Sequence, residues 1–225
     1  MCFSTTASFG ASAILAVAGV VSIKKVVKPE QIMFASIPII FSIQQFTEGF
    51  VWIALKDPNN NEWLNIPVLI FLGLAQIIWP VWVPLSMMLI EKNDTRKKVL
   101  KLFFVIGSLL SIFLTYRILF SSVSAAITPY HIHYDINFPH RQYLTIIAAS
   151  YFLVTIVSPF ISSAKRMINL GLLNFASFII TVIFFEDYII SVWCFFSALI
   201  SWNVILVMKD LEAKNQPVAL PSAAI

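Results

Sequence analysis

The chain has 225 residues, of which 59% are hydrophobic and only 12% charged, with 20 Phe and 6 Trp. An ordinary soluble domain carries about 25% charged residues, and the mean hydropathy here is +0.87, so a water-soluble fold is excluded and lipid is the expected solvent. The net charge of +4 is segregated along the chain, as shown below, and calls for no nucleic-acid partner.

Hydrocarbon about 30 Å thick is crossed by roughly 20 apolar residues in a helix. Runs of that kind lie near 5–23, 31–55, 65–90, 99–121, 143–163, 168–186 and 188–208. The first run is expected to remain in the membrane rather than be cleaved, because no basic region precedes it and no polar domain follows it. It is rich in small residues (Ser8, Gly10, Ala11, Ser12, Ala16, Gly19), which favour close packing against another helix over contact with lipid. The second run holds Gln44-Gln45-Phe46-Thr47-Glu48-Gly49-Phe50-Val51-Trp52. At 3.6 residues per turn, a glutamine, Glu48 and Trp52 share one face, which should point into the bundle.

Pro38, Pro80, Pro84 and Pro159 predict kinks. Gln76 in the third run suits interhelical hydrogen bonding. Arg117, near the end of the fourth run, is the obvious counter-charge for Glu48, and pairing would relieve two desolvation problems at once. Glu48 and Arg117 are therefore the candidate working pair. The sixth and seventh runs carry polar stripes, Asn174, Ser177 and Thr181, then Ser191, Cys194, Ser197 and Ser201, which suit helix packing. Only Glu186-Asp187 separates these two runs, which reads as a tight turn or as a re-entrant pair.

Between the fourth and fifth runs lies a long connection, 122–142. Its apolar Ile127, Ile132, Ile136 and Phe138 predict that it folds back on the bundle. It also holds every histidine of the chain: His131, His133 and His140. A His-x-His pair on extended backbone places both rings on one side. Together with Glu48 and Cys2 they are candidate ligands for one zinc or copper ion, because neutral imidazole and thiolate suit those metals. A single Cys2–Cys194 bridge is the other use open to the two cysteines.

Lysine and arginine set the orientation. One side holds Lys24, Lys25, Lys28, Lys92, Arg96, Lys97, Lys98, Lys101, Lys165, Arg166, Lys209 and Lys214; the other holds Lys56 and Arg141. The bias alternates through every loop. It predicts an all-α, polytopic membrane bundle of seven transmembrane helices over 1–208, N-terminus outside, C-terminus inside, with a short cytoplasmic tail at 209–225. The expected location is the cell (inner) membrane.

The opening Met1-Cys2-Phe3-Ser4-Thr5-Thr6-Ala7-Ser8-Phe9, followed by Ala35-Ser36-Ile37-Pro38 and the Gln44–Trp52 segment, resembles an uncharacterised family of bacterial multi-pass membrane proteins. The resemblance covers mainly the first two spans and implies the membrane class without an activity. On residues alone, the leading reading is a metal-dependent enzyme with an outward-facing site, acting on a lipid or a small apolar molecule. A transporter, channel or sensor working through Glu48 is the alternative, and a structural subunit of a membrane complex is the third.

Overall fold

The computed structural model describes residues 4–57, 62–128, 130–138 and 141–215. Cys2, His140 and the tail from residue 216 onward lie outside the described residues. Among the described residues, seven helices are long and apolar enough to cross a membrane: α1 Thr5–Ile23, α2 Pro29–Lys56, α3 Asn65–Ile90, α4 Asp94–Phe120, α5 Leu144–Ile161, α6 Met167–Phe184 and α7 Glu186–Ala213. Helices close every backbone hydrogen bond within the segment, which lipid demands. Large apolar side chains such as Ile14, Leu109, Ile112 and Ile183 stand on the outside of the bundle, where lipid tails would meet them.

Consecutive helices pack pairwise, and α7 returns against α1 and α2. The small-residue face of α1 does what its composition predicts. Ser12 Oγ donates to the carbonyl of Ser42 at 2.9 Å, and Ser42 Oγ donates back to that of Ser12 at 2.8 Å. Gly19 lies so close to Ile39 that a Cβ there would meet its side chain. At the Gly107 crossing of α3 and α4, a Cβ would strike the carbonyl oxygen of Pro80.

Two helices are not uniformly α. Residues Gly73–Ile78 of α3 and Leu153–Val157 of α5 form π turns. Tyr151 Oη reaches from α5 to donate to the Ala75 carbonyl at 2.6 Å, and Ser111 Oγ of α4 donates to that of Ile77 at 2.7 Å. The chain passes from α6 into α7 through a single 3-10 turn, Glu186–Tyr188, so the expected tight turn is present. The last helix continues through Asn215, past the boundary at 208 expected from hydropathy.

The 122–142 connection contains a β-hairpin, β1 Ser122–Thr128 and β2 His131–Asn137, in which Thr128 pairs with His131. Ile132, Tyr134 and Ile136 alternate onto the buried face, and Tyr134 stacks on Phe71 with ring centroids 4.9 Å apart. The connection therefore folds back on the bundle, closing the end opposite the lysine- and arginine-rich loops. At that basic end, Glu91 is the organising residue. Its carboxylate accepts from the backbone N–H groups of Lys92, Asn93 and Ser163 and from Ser163 Oγ, tying the α3–α4 and α5–α6 loops together.

Candidate functional site

The polar face of α2 points into the bundle as its spacing predicts. Gln44, Gln45 and Glu48 are each 0% exposed, and Trp52 is 2%. Gln44 uses both ends of its amide: Nε2 donates to Cys194 Sγ at 2.6 Å, and Oε1 accepts from Trp79 Nε1 at 3.0 Å. One turn further along, Glu48 Oε1 accepts a 2.6 Å hydrogen bond from Ser191 Oγ of α7. Gln45 differs from both. Neither its Nε2 nor its Oε1 has a hydrogen-bond partner among the described residues, and the same is true of Ser8 Oγ and Trp52 Nε1.

Helix geometry gathers these groups. Gln45, Glu48 and Trp52 recur on one stripe of α2. Ser8 lies one turn from Ser12, whose hydroxyl is held at Ser42. The contact of α2 with α7 thus carries a buried carboxyl and a hydroxyl bound to it, and one turn away on α2 lies an amide with unspent donor and acceptor capacity. Buried amide groups are seldom left so.

Cys194 also lines an apolar cavity of about 70 Å³ that continues toward the basic end between Phe41, Trp79, Thr155, Asn174 and Trp193. Pockets for drug-sized ligands run to about 300–1,000 Å³. Its wall is mostly apolar, which favours neither water nor an ion.

The expected Glu48–Arg117 ion pair does not form. Among the described residues the ion pairs are Lys25–Glu212 and Arg166–Asp210, both at the basic end. Arg117 instead lies over the Phe138 ring at 5.9 Å, with Asp135 of the hairpin as the acid acting on it. The reason is rotational: Glu48 faces α7, whereas Arg117 faces the hairpin.

His131 and His133 share one side of β2, as His-x-His on a strand requires, but that side faces the α6–α7 turn. The His131 ring packs against Phe185 and Tyr188, with centroids at 5.3 and 4.7 Å, and His133 Nδ1 is 2.8 Å from the Asp187 carbonyl. Among the described residues, no group of three His, Cys, Asp or Glu is placed to hold a metal ion. The zinc or copper site expected from His131, His133, His140, Glu48 and Cys2 is thus not supported, and Cys2 and His140 lie outside the described residues. Cys194 is free and buried against Gln44, well down the bundle rather than at its outer face.

Trp79 joins the site through Gln44 without a sequence signal that singles it out. Ser191 and Cys194 belong to a stripe expected only to pack, and packing and hydrogen bonding turn out to use the same face.

The match to known families spans nearly the whole chain: residues 1–220 fit the model of a family of unknown function (DUF6629), and the chain belongs to it. No curated protein and no solved structure matches the chain.

Proposed function

We propose that this member of the family is a membrane transport or sensing protein whose working group is Glu48, taking up a proton or a small monovalent cation between α1, α2 and α7. The observation that carries this reading is the fully buried Gln45 amide, without hydrogen-bond partners, one turn from a fully buried carboxyl. An ionisable side chain inside a span costs roughly 2.5–3.5 kcal/mol on insertion scales and is kept where it has work to do. The oxygens of Glu48 and Ser191, which meet at 2.6 Å, and of the Gln45 amide one turn away are hard donors, the type that holds alkali and alkaline-earth cations rather than zinc or copper.

In this reading the chain sits in the cell (inner) membrane with the hairpin outside and the basic loops in the cytoplasm, following the positive-inside bias. Among the described residues, the metal-dependent enzyme reading has no grouped ligands in its favour.

Purified protein in liposomes carrying an imposed sodium or proton gradient, read with an interior sodium- or pH-sensitive dye, tests the reading. Flux above that of empty vesicles, abolished by Glu48→Gln and retained in Arg117→Gln, is expected of a transporter. Quenching of tryptophan fluorescence on sodium addition or acidification, lost in Glu48→Gln, is expected of a sensor. Neither flux nor a Glu48-dependent spectral change would overturn the assignment.

A further inference from the structure

We propose that the basic end of the bundle carries a second site, separate from Glu48, that binds the phosphate group of an anionic membrane lipid. A cavity of about 280 Å³ opens there between the α1–α2, α3–α4 and α5–α6 loops, with Lys28, Lys92 and Lys97 in its wall. None of these three lysines forms an ion pair among the described residues, whereas neighbouring Lys25 is engaged by Glu212 at 3.0 Å.

The loops that present the lysines are fixed from beneath by buried polar side chains. Gln31, 4% exposed, accepts at Oε1 from the backbone N–H groups of Val27 and Lys28 at 2.9 and 3.2 Å. Glu91, also 4% exposed, holds the Lys92–Asn93 turn and the Ser163 loop. The lysine stems therefore start from rigid backbone, which lowers the ordering cost of gathering them around one anion.

Two acids line the same cavity. The buried Glu91 carboxylate is taken up by backbone and serine donors, so it serves as a support. Glu30 is exposed at the rim, which leaves the lysines in excess. The remaining wall includes Leu89, Ile90, Ala164 and Leu211. A pocket with cations at its mouth and aliphatic side chains beside them, at the end of a membrane bundle, matches a phosphate headgroup with the start of its acyl chains. Basic pockets at this position between helices are suited to acidic headgroups.

Native mass spectrometry of the full chain in detergent micelles, titrated with dioleoyl phosphatidylglycerol or dioleoyl phosphatidylcholine, tests the site. The expected result is one retained phosphatidylglycerol per chain, with much weaker retention of phosphatidylcholine. The triple variant Lys28→Gln, Lys92→Gln, Lys97→Gln should weaken that retention roughly 100-fold, taking each lysine near a charged headgroup at its usual contribution. A control triple of exposed lysines outside the cavity, Lys98→Gln, Lys101→Gln, Lys209→Gln, should leave it nearly unchanged. Equal losses in both triples, no loss in either, or equal retention of the two lipids would overturn the site. Excess inorganic phosphate separates the sources: displacement of the lipid makes a soluble phosphate ester the ligand of the same pocket, and resistance assigns it to the lipid.

Discussion

Ser191 and Glu48, both fully buried, meet through a 2.6 Å hydrogen bond that joins α7 to α2 in the bundle interior. Removing the donor leaves a buried carboxyl short of one contact, which costs about 1–3 kcal/mol. Ser191→Ala should therefore lower thermal stability in detergent. The loss should shrink in a Glu48→Gln background, because the two residues share one interaction. A double-mutant cycle measures this, and strictly additive losses would count against a direct bond.

Gly107→Ala should be among the most harmful single-methyl additions in the chain. A Cβ there runs into the Pro80 carbonyl, part of the backbone and unable to swing aside, whereas a Cβ at Gly10 meets nothing within 4 Å. Overpacking of this kind costs about 1–3 kcal/mol. Gly10→Ala should be neutral or slightly stabilising, since alanine also improves helix propensity. Melting temperatures of the two variants, measured side by side, decide the matter.

The hairpin should loosen in acid. Burial against Phe185 and Tyr188 holds the His131 imidazole below its usual value of 6.5, so the docked hairpin favours the neutral ring. The released hairpin binds the proton more readily. Docking is then at full strength above about pH 6.5 and weakens as pH falls below it. Protection from hydrogen exchange at Ile132 and Tyr134, taken relative to the intrinsic rate at each pH, should fall between neutral pH and pH 5, and a His131→Phe variant should flatten the response. Identical pH profiles in the two proteins would show that another group is responsible.

At the other end the dependence has the same sign for a different reason. Burial pushes the Glu91 carboxyl up, but hydrogen bonds from Ser163, Asn93 and Ser162 outweigh it and hold the group below its reference value of 4.5. Its contribution is present above about pH 4.5 and fades as pH falls through the lower folded value. Glu91→Gln keeps the shape and removes the charge that all those donors address. It should lower stability at neutral pH and make the acid limb of the stability curve shallower. Circular dichroism melts across pH 3–7 provide the comparison, and an unchanged acid limb would remove Glu91 from the account.

Much of this was legible in the residues. Apolar runs long enough for lipid locate all seven helices because the bilayer imposes one length scale on every span, and α1 begins at Thr5 and ends at Ile23 as its run does. The inward face of α2 was equally plain from the spacing of Gln45, Glu48 and Trp52. Partner choice was not. Opposite charge nominated Arg117 for Glu48, but the rotation of α4 about its axis is set by packing along its whole length, and one charge cannot override that. The histidines misled for a related reason: strand alternation correctly put His131 and His133 on one side but says nothing of what that side faces. Pro80 and Pro159 signalled irregular helices, and each follows a π turn that accommodates its missing N–H donor. The sequence marks such a break without telling a kink from a widened turn.

The widened turn in α3 also decides where Trp79 points. Each residue in an α-helix advances the side-chain direction by about 100°, and a turn holding one residue more than usual puts everything after it out of phase with everything before it. Phe71 and Leu72 look toward the hairpin-end core, while Trp79 stacks on Phe41 and reaches Gln44. A single helix phase would have to serve the core at one end or the polar centre at the other. With the slip at Gly73–Ile78, α3 serves both, and deleting one residue there would swing the indole away from Gln44 while leaving the upper half of the helix seated.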